Sequence, residues 1–175
     1  MPTRPARCLS LCVATLLLFA CTGAPAASAA NGSRLYPDEV KDLLREHNRA
    51  RADVGVRPLQ WSPQVASSAQ RWADHLADSS CRMQHSRGSG YGENLYRATA
   101  DYYEVPDAAR SWAREKRLYR GGPLQRHNWA PSGHYTQMVW RDTRRLGCGV
   151  SECDDKMIVV CHYEPKGNYL GRAPY

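Results

Sequence analysis

The sequence predicts an α+β protein whose helices occupy the first two-thirds of the chain and whose antiparallel sheet is built mainly from the last third. Apolar residues recur at helical spacing in several earlier segments and alternate with a period of two in the last third. No repeat, low-complexity tract or long linker divides the chain after residue 31. The 175 residues therefore predict one domain, residues 31–175, behind a leader.

The first thirty residues have the pattern of a secretion signal. A basic stretch at 1–7 precedes an apolar run at 9–20, and small residues follow. The run is too short for a membrane-spanning helix, which needs about twenty residues. An A-x-A pattern at 27–29 favours cleavage and free secretion to the outside of the cell. The alternative is a bacterial lipoprotein anchored at Cys21.

The charge of the chain argues against a nucleic-acid partner. The chain has 24 Lys and Arg and 17 Asp and Glu, a net charge of +7 that falls to +5 once the leader is removed. The basic residues are interleaved with acids, and no nucleic-acid-binding motif accompanies them. We expect a monomer with no nucleic-acid partner and no transmembrane segment.

The first two predicted helices have clear start signals. The first spans residues 37–53, with Pro37 in its first turn, and Gly55 ends it. The second has Ser62 as its N-cap and Pro63 at its first position. Its apolar residues recur at a spacing that indicates one buried face.

Two further helices carry polar residues of interest. The third is predicted over residues 107–119, where Trp112, Glu115 and Tyr119 share one side. The fourth carries His134 close to its start. A carboxylate on the apolar side of a helix needs a partner, so Glu115 is out of place unless it has one.

Alternating apolar residues in the last third predict a β-hairpin. A turn on the two aspartates at 154–155 places Cys148 opposite Cys161 and points Cys153 to the other face of the sheet. This register predicts disulfides Cys148–Cys161 and Cys81–Cys153, one of the three pairings that four cysteines allow.

Four polar residues are candidates for chemistry. His85 lies in a Gly/Ser-rich loop, Glu93 enters a predicted strand, and Glu115 and His134 belong to the third and fourth helices. Each has an ordinary structural explanation when it is taken singly, because a lone histidine is usually a hydrogen-bonded structural residue. The sequence contains no H-E-x-x-H, G-x-S-x-G, phosphate-binding loop or C-x-x-C metal pair.

Four motifs in order resemble those of one known family. Gly-His-Tyr-Thr-Gln-Met-Val-Trp-Arg at 133–141 and Ile-Val-Val-Cys-His-Tyr-Glu-Pro-Lys-Gly-Asn-Tyr at 158–169 are similar to the two signatures of the CAP superfamily. Shorter matches are His-Asn-Arg-Ala-Arg at 47–51 and Gly-Glu-Asn-Leu at 92–95. The superfamily comprises cysteine-rich secretory proteins, antigen 5 and pathogenesis-related group-one proteins. The chain most resembles the plant-type group-one proteins, over roughly residues 36–175.

The resemblance implies a three-layer α-β-α sandwich, the CAP fold, with a central antiparallel sheet and an open groove. The family's groove tetrad maps onto His85, Glu93, Glu115 and His134. The resemblance also agrees with the disulfide pairing predicted from the hairpin register. The chain departs from the plant pattern in lacking a cysteine pair before the Gly-His-Tyr motif and in having His162 where Asn is usual.

The family relationship favours a binding module with a defence- or virulence-related role. Such a module would hold a sterol, fatty acid or other lipid, and the loop after Leu95 supplies Tyr96, Tyr102 and Tyr103 as amphipathic aromatics. Ordinary packing and surface exposure explain these tyrosines equally well.

The tetrad suggests weak zinc binding, with His85 and His134 as ligands, although no cofactor is required. A metal-dependent hydrolase, with Glu93 or Glu115 as general base, is the alternative function. Catalytic zinc typically has three protein ligands, and no recognisable nucleophile is placed beside a base. The sequence therefore favours a binding protein over an enzyme.

A third interpretation concerns the C-terminal tail, residues 165–175. It resembles the immune-signalling peptide that is released from plant group-one proteins by a cut that would fall here between Glu164 and Pro165. The plant precursors carry Asp before the cut, whereas this chain has Glu164. The structural alternative is that Gly167 and Pro174 shape a terminal turn that packs on the sheet.

Overall fold

A computed structural model describes residues 28–175. Residues 1–27, which hold most of the predicted leader and Cys21, lie outside that range. The elements are α1 (Ser28–Asn31), α2 (Pro37–Ala52), β1 (Gln60–Trp61), α3 (Pro63–Ser79), β2 (Gly92–Thr99), α4 (Asp107–Arg114), a 3₁₀ turn (Glu115–Leu118), α5 (Arg126–Trp129), α6 (Gly133–Met138), β3 (Arg145–Cys153) and β4 (Lys156–Glu164). In the described part of the chain, no helix is long and apolar enough to cross a membrane.

The four strands form one sheet in the order β1-β3-β4-β2. The β2–β4 and β3–β4 pairs are antiparallel, as predicted, but β1 pairs in parallel with β3 and makes the sheet mixed. The predicted antiparallel pairing is confirmed for β2, β3 and β4, whereas the parallel edge strand β1 was not predicted. The reason is that the chain touches the sheet for only two residues on its way into α3, too few for a period of two to be visible.

The predicted hairpin register is confirmed, because Cys148 lies opposite Cys161 and Cys153 opposite Lys156. The turn residues Asp154 and Asp155 have φ values of 48° and 57°. Aspartate tolerates this left-handed region, which two-residue hairpin turns require. The structure contains disulfides Cys148–Cys161 and Cys81–Cys153, as the register predicted.

Strand β4 divides the interior into two cores, because its alternate residues face opposite ways. Val159, Cys161 and Tyr163 pack against α2, α4 and α6. Ile158 and Val160 pack against α3 in the second core. The protein is thus a three-layer α-β-α sandwich, as expected.

Two glycines allow α3 to approach β3 closely. A Cβ atom on Gly147 would come within 2.0 Å of the Ala66 nitrogen, and one on Gly149 within 2.4 Å of the Gln70 Cα. These contacts are with backbone atoms, which cannot move aside without displacing the helix. The helix α3 can therefore lie this close to β3 only because both positions are glycine.

The third helix is shorter than predicted. It ends at Arg114, and Glu115 begins a 3₁₀ turn, after which Tyr119 has an extended backbone. A tighter last turn is common at helix ends. Here it accompanies the hydrogen bonds of Glu115 to the start of α6, a contact far away in the sequence that helical periodicity cannot reveal.

A buried arginine fastens α2 to the segment that follows α6. The Arg51 side chain is fully buried and donates hydrogen bonds to the carbonyls of Arg57, Met138, Trp140 and Thr143 at 2.6 to 3.0 Å. Burial lowers the pKa of Arg51 to about 10, so the guanidinium stays charged at neutral pH. A charged donor that serves four carbonyls holds three segments of chain at fixed positions.

Replacing Arg51 by Met should lower the free energy of unfolding by about 3 kcal/mol or more, because buried carbonyls lose a charged partner. Arg49→Met is the matched control, since Arg49 is exposed on the same helix. Chemical denaturation followed by circular dichroism gives both values. Equal values for the two variants would contradict the structural role of Arg51.

Candidate functional site

Glu93, near the start of β2, binds a partner through each carboxylate oxygen. His85 Nδ1 donates to Glu93 Oε1 at 2.5 Å, and His162 Nε2 donates to Oε2 at 3.0 Å. The Ser86 amide donates to the same carboxylate at 3.0 and 3.3 Å. His162, the residue that replaces the usual Asn, is therefore a partner of Glu93 that sequence reasoning missed. Its own Nδ1 is buried and without a hydrogen-bond partner among the described residues.

These contacts set the charge of the Glu93–His85 pair. Burial alone would raise the pKa of Glu93, but the hydrogen bonds from His162, His85 and Ser86 outweigh it and lower the pKa to about 2. The hydrogen bond to Glu93 in turn raises the pKa of His85. A carboxylate with so low a pKa accepts protons poorly at neutral pH.

The Glu115 carboxylate accepts hydrogen bonds from both the main chain and the side chain of His134. Glu115 Oε1 accepts from His134 Nδ1 at 2.7 Å, and Oε2 accepts from the amides of His134 and Tyr135 at 3.0 and 3.2 Å. The Trp112 ring stacks on the imidazole, with centroids 6.0 Å apart. The carboxylate on the apolar side of the predicted third helix thus has the partners that its position required.

Three of the four predicted groove residues face one cavity of about 210 Å³, and Glu115 lies behind His134. The lining residues are His85, Glu93, Asn94, Trp129, Ala130, Gly133, His134 and Asn168. In both histidines the Nδ1 atom is bound to a glutamate, which leaves Nε2 as the ring nitrogen open to a ligand. An imidazole oriented by a carboxylate in this way is the arrangement found around bound metal ions.

A buried hydrogen-bond chain, which the sequence did not reveal, supports this cavity. The Tyr163 hydroxyl donates to His47 Nε2 at 2.8 Å and accepts from Asn94 Nδ2 at 3.0 Å. His47 Nδ1 donates to the Leu43 carbonyl at 2.7 Å, and Asn94 Nδ2 also donates to the His134 carbonyl at 3.1 Å. Burial lowers the pKa of His47 to about 4 and raises that of Tyr163, so both are neutral at pH 7. The only sequence signal for these residues is that His47, Asn94 and Tyr163 fall within the family motifs.

The tyrosines that were predicted to bind lipid lie away from the His/Glu cavity. Tyr96 and Tyr103 line a separate cleft. Tyr102 is 84% exposed and Tyr103 47% exposed, and their ring centroids are 5.9 Å apart. The structure therefore separates the predicted metal residues from the predicted lipid residues.

The C-terminal tail contributes one wall of the His/Glu cavity. Asn168 lines the cavity, donates to the Gly133 carbonyl at 2.8 Å and accepts from the Thr136 hydroxyl at 2.8 Å. Near the predicted cut, the Pro165 carbonyl accepts from the Thr143 hydroxyl at 2.9 Å. The tail is thus packed on the body of the protein on both sides of Gly167.

Comparisons with known proteins agree with the fold and the motifs. The model of the cysteine-rich secretory protein (CAP) family matches residues 44–163. Pathogenesis-related protein 1A of Nicotiana tabacum is 42% identical over 166 residues, which cover 94% of this chain and 93% of the relative.

Solved structures show the same architecture. BmVAL-1 is 30% identical with a TM-score of 0.70, and the match covers 82% of this chain and 84% of that one. The crystal structure of NaASP2 with Zn²⁺ is 25% identical with a TM-score of 0.69, over 87% of this chain and 90% of that one. The family match spans more than half of the chain and the tobacco relative spans nearly all of it. The chain therefore belongs to the cysteine-rich secretory protein (CAP) family and resembles its plant pathogenesis-related group-one members.

Proposed function

We propose that this chain is an extracellular, defence-related binding protein whose His/Glu cavity holds a divalent cation through Nε2 of His85 and His134. The observation that carries the proposal is that each imidazole is fixed by a glutamate on Nδ1 while both line one cavity. Neutral imidazole nitrogen is a common zinc ligand. The similarity to NaASP2, whose crystal structure was solved with Zn²⁺, supports the choice of metal.

The donor set fits a weakly held ion. Residues 28–175 contain no group of three or more His, Cys, Asp or Glu side chains that could hold a metal. Two imidazoles would leave the other positions of a tetrahedral zinc site to water. Structural zinc sites have four protein ligands, so we expect this one to bind zinc weakly. A bound ion would supply Lewis-acid polarisation to whatever occupies the cavity.

Binding suits this cavity better than hydrolysis does. Glu93 has both oxygens occupied and a pKa of about 2, and Glu115 already accepts three hydrogen bonds. Neither carboxylate is therefore free to act as a general base. Among the described residues that line the cavity, none has the hydroxyl or thiol of a nucleophile.

The extracellular location rests on the leader and on the disulfides. Structural disulfides persist mainly in oxidising compartments outside the cytosol, and residues 28–175 contain two. The role in defence rests on the naming of relatives such as the tobacco pathogenesis-related protein.

A second candidate function is sterol or fatty-acid binding at the loop after β2. The observation that favours it is the pair of adjacent, exposed rings of Tyr102 and Tyr103. Two neighbouring aromatic rings offer a ligand apolar contact area together with hydroxyl groups. Release of the tail as a signalling peptide has no comparable support, because a cut before Pro165 would leave the fragment packed on the protein.

Zinc binding should disappear in both His85→Ala and His134→Ala, because each change removes one of two protein ligands. His75→Ala is the matched control, since His75 is exposed on α3 and is not part of the cavity lining. Isothermal titration calorimetry measures the affinity of each variant. Unchanged binding in both cavity variants would exclude the site.

The same titration should show a particular pH dependence. A proton competes with zinc for imidazole nitrogen, and the hydrogen bond to Glu93 raises the pKa of His85. The affinity should therefore begin to fall, as the pH is lowered, at a pH above the ordinary histidine value of about 6.5. An affinity that stays constant down to pH 5 would contradict ligation by these histidines.

Sterol binding, in contrast, should depend on the tyrosines and not on the tetrad. Replacing Tyr102 and Tyr103 by Ser should weaken it more than His134→Ala does, because apolar ligands gain from buried area and aromatic contact. A radiolabelled-sterol binding assay on the three proteins gives the ranking. The opposite order would assign the lipid to the His/Glu cavity.

A further inference from the structure

We propose that the cleft beside the free edge of β2 is a second ligand site, independent of the metal cavity, and that it takes an acidic oligosaccharide. The cleft has a volume of about 550 Å³, more than twice that of the His/Glu cavity and within the range of ligand sites. Its walls come from the loop before β2, from β2, from α4 and its preceding loop, and from the start of β4. The lining residues are Met83, Tyr96, Arg97, Ala98, Thr99, Tyr103, Asp107, Ser111, Arg114 and Lys156.

The cleft carries an excess of positive charge. Arg97, Arg114 and Lys156 all line it, and none of them takes part in the ion pairs found among residues 28–175. The lining carboxylate, Asp107, is already bound to Arg110 at 2.9 Å. Asp107 also attracts Arg114, so three cations share one lining carboxylate that Arg110 already binds. This excess of positive charge favours an anionic ligand.

The edge of the sheet adds main-chain hydrogen-bonding groups to the cleft. The amide of Ala100 points towards β4, where it donates to Asp155 at 3.0 Å. Because main-chain groups alternate along an antiparallel strand, those of Arg97 and Thr99 point outward from β2, the edge strand. In the turn that follows β2, the Thr99 carbonyl accepts hydrogen bonds from the amides of Tyr102 and Tyr103. The turn does not use the amide and carbonyl of Arg97, which we take to be available to a ligand at the edge of the cleft.

The remaining lining residues favour a polar, hydroxylated ligand over a lipid. A lipid tail is bound by extensive apolar surface, but Met83 and Ala98 are the only aliphatic residues of this lining. Tyr96 and Tyr103 instead offer ring faces together with hydroxyl groups. Sugar rings combine weakly polar C–H faces with hydroxyls, and uronic acids add the carboxylates that the three cations would bind.

The direct test compares a hexuronic acid trimer with the neutral hexose trimer of the same linkage, by isothermal titration calorimetry on the whole protein. We expect the acidic trimer to bind, with an affinity that falls as salt is added, and the neutral trimer to bind at least about tenfold more weakly. Equal affinity for the two trimers, or no binding of the acidic one, would overturn the proposal. An oligonucleotide of equal charge that bound more tightly would overturn it as well.

Variants locate the binding in the cleft. Replacing Arg97, Arg114 and Lys156 together by Gln should weaken binding of the acidic trimer at least about tenfold. The matched control replaces three exposed cations outside the cleft lining by Gln and changes the net charge equally: Arg71, Arg117 and Arg120. Losses of equal size in the two proteins would show a general charge effect and refute the site.

Two further measurements test the cleft independently of the metal cavity and of the triple variant. Zinc affinity should be the same in the cleft variant as in the unmodified protein, so the failure of one site would not imply the failure of the other. The single variant Lys156→Gln, which keeps both arginines, should weaken trimer binding about threefold even if the triple variant folds poorly. Unchanged trimer affinity in Lys156→Gln would count against the cleft.

Discussion

The Tyr163 hydroxyl is the point at which the helical layer and the sheet are joined beneath the His/Glu cavity. It bonds His47 of α2 on one side and Asn94 of β2 on the other, and Asn94 also bonds the carbonyl of His134. The side chains of His47, Asn94 and Tyr163 are buried, and an unpaired buried polar group costs about 1–3 kcal/mol, so each of the three depends on the other two. The chain of bonds therefore fixes α2, β2, β4 and the start of α6 relative to one another.

This hydrogen-bond chain positions both glutamate–histidine pairs of the cavity. Glu93 adjoins Asn94 on β2, and it carries His85 and His162 on its two oxygens. His134 is tied to Asn94 through its carbonyl and to Glu115 through its ring and amide. The Asn94 amide thus connects the strand that bears one glutamate–histidine pair to the helix that bears the other. These bonds use Nδ1 of His85 and of His134 but not Nε2, and the two Nε2 atoms are the proposed metal ligands.

Much of the fold was predictable because its signals are local. Alternating residues and a two-residue turn predicted the pairing of Cys148 with Cys161, and caps and periodicity predicted α2 and α3. The end of α4 at Arg114 was not predictable, because the hydrogen bonds of Glu115 join it to residues that lie far along the chain. The family motifs identified the four residues of the tetrad, but they did not show which glutamate binds which histidine. His162 illustrates the limit, since the sequence shows only an unusual residue and the structure shows its bond to Glu93.

Nitrogen-15 NMR of the histidine rings, recorded as the pH is lowered from 8 to 4, tests the central hydrogen-bond chain most directly. The structure predicts that His47 keeps its proton on Nδ1 and its Nε2 unprotonated until the pH approaches about 4, because the ring is buried and Tyr163 donates to Nε2. The exposed His75 serves as an internal reference in the same spectra. If His47 titrated near 6.5 like a solvated imidazole, or carried its proton on Nε2, the chain of bonds would not exist as described.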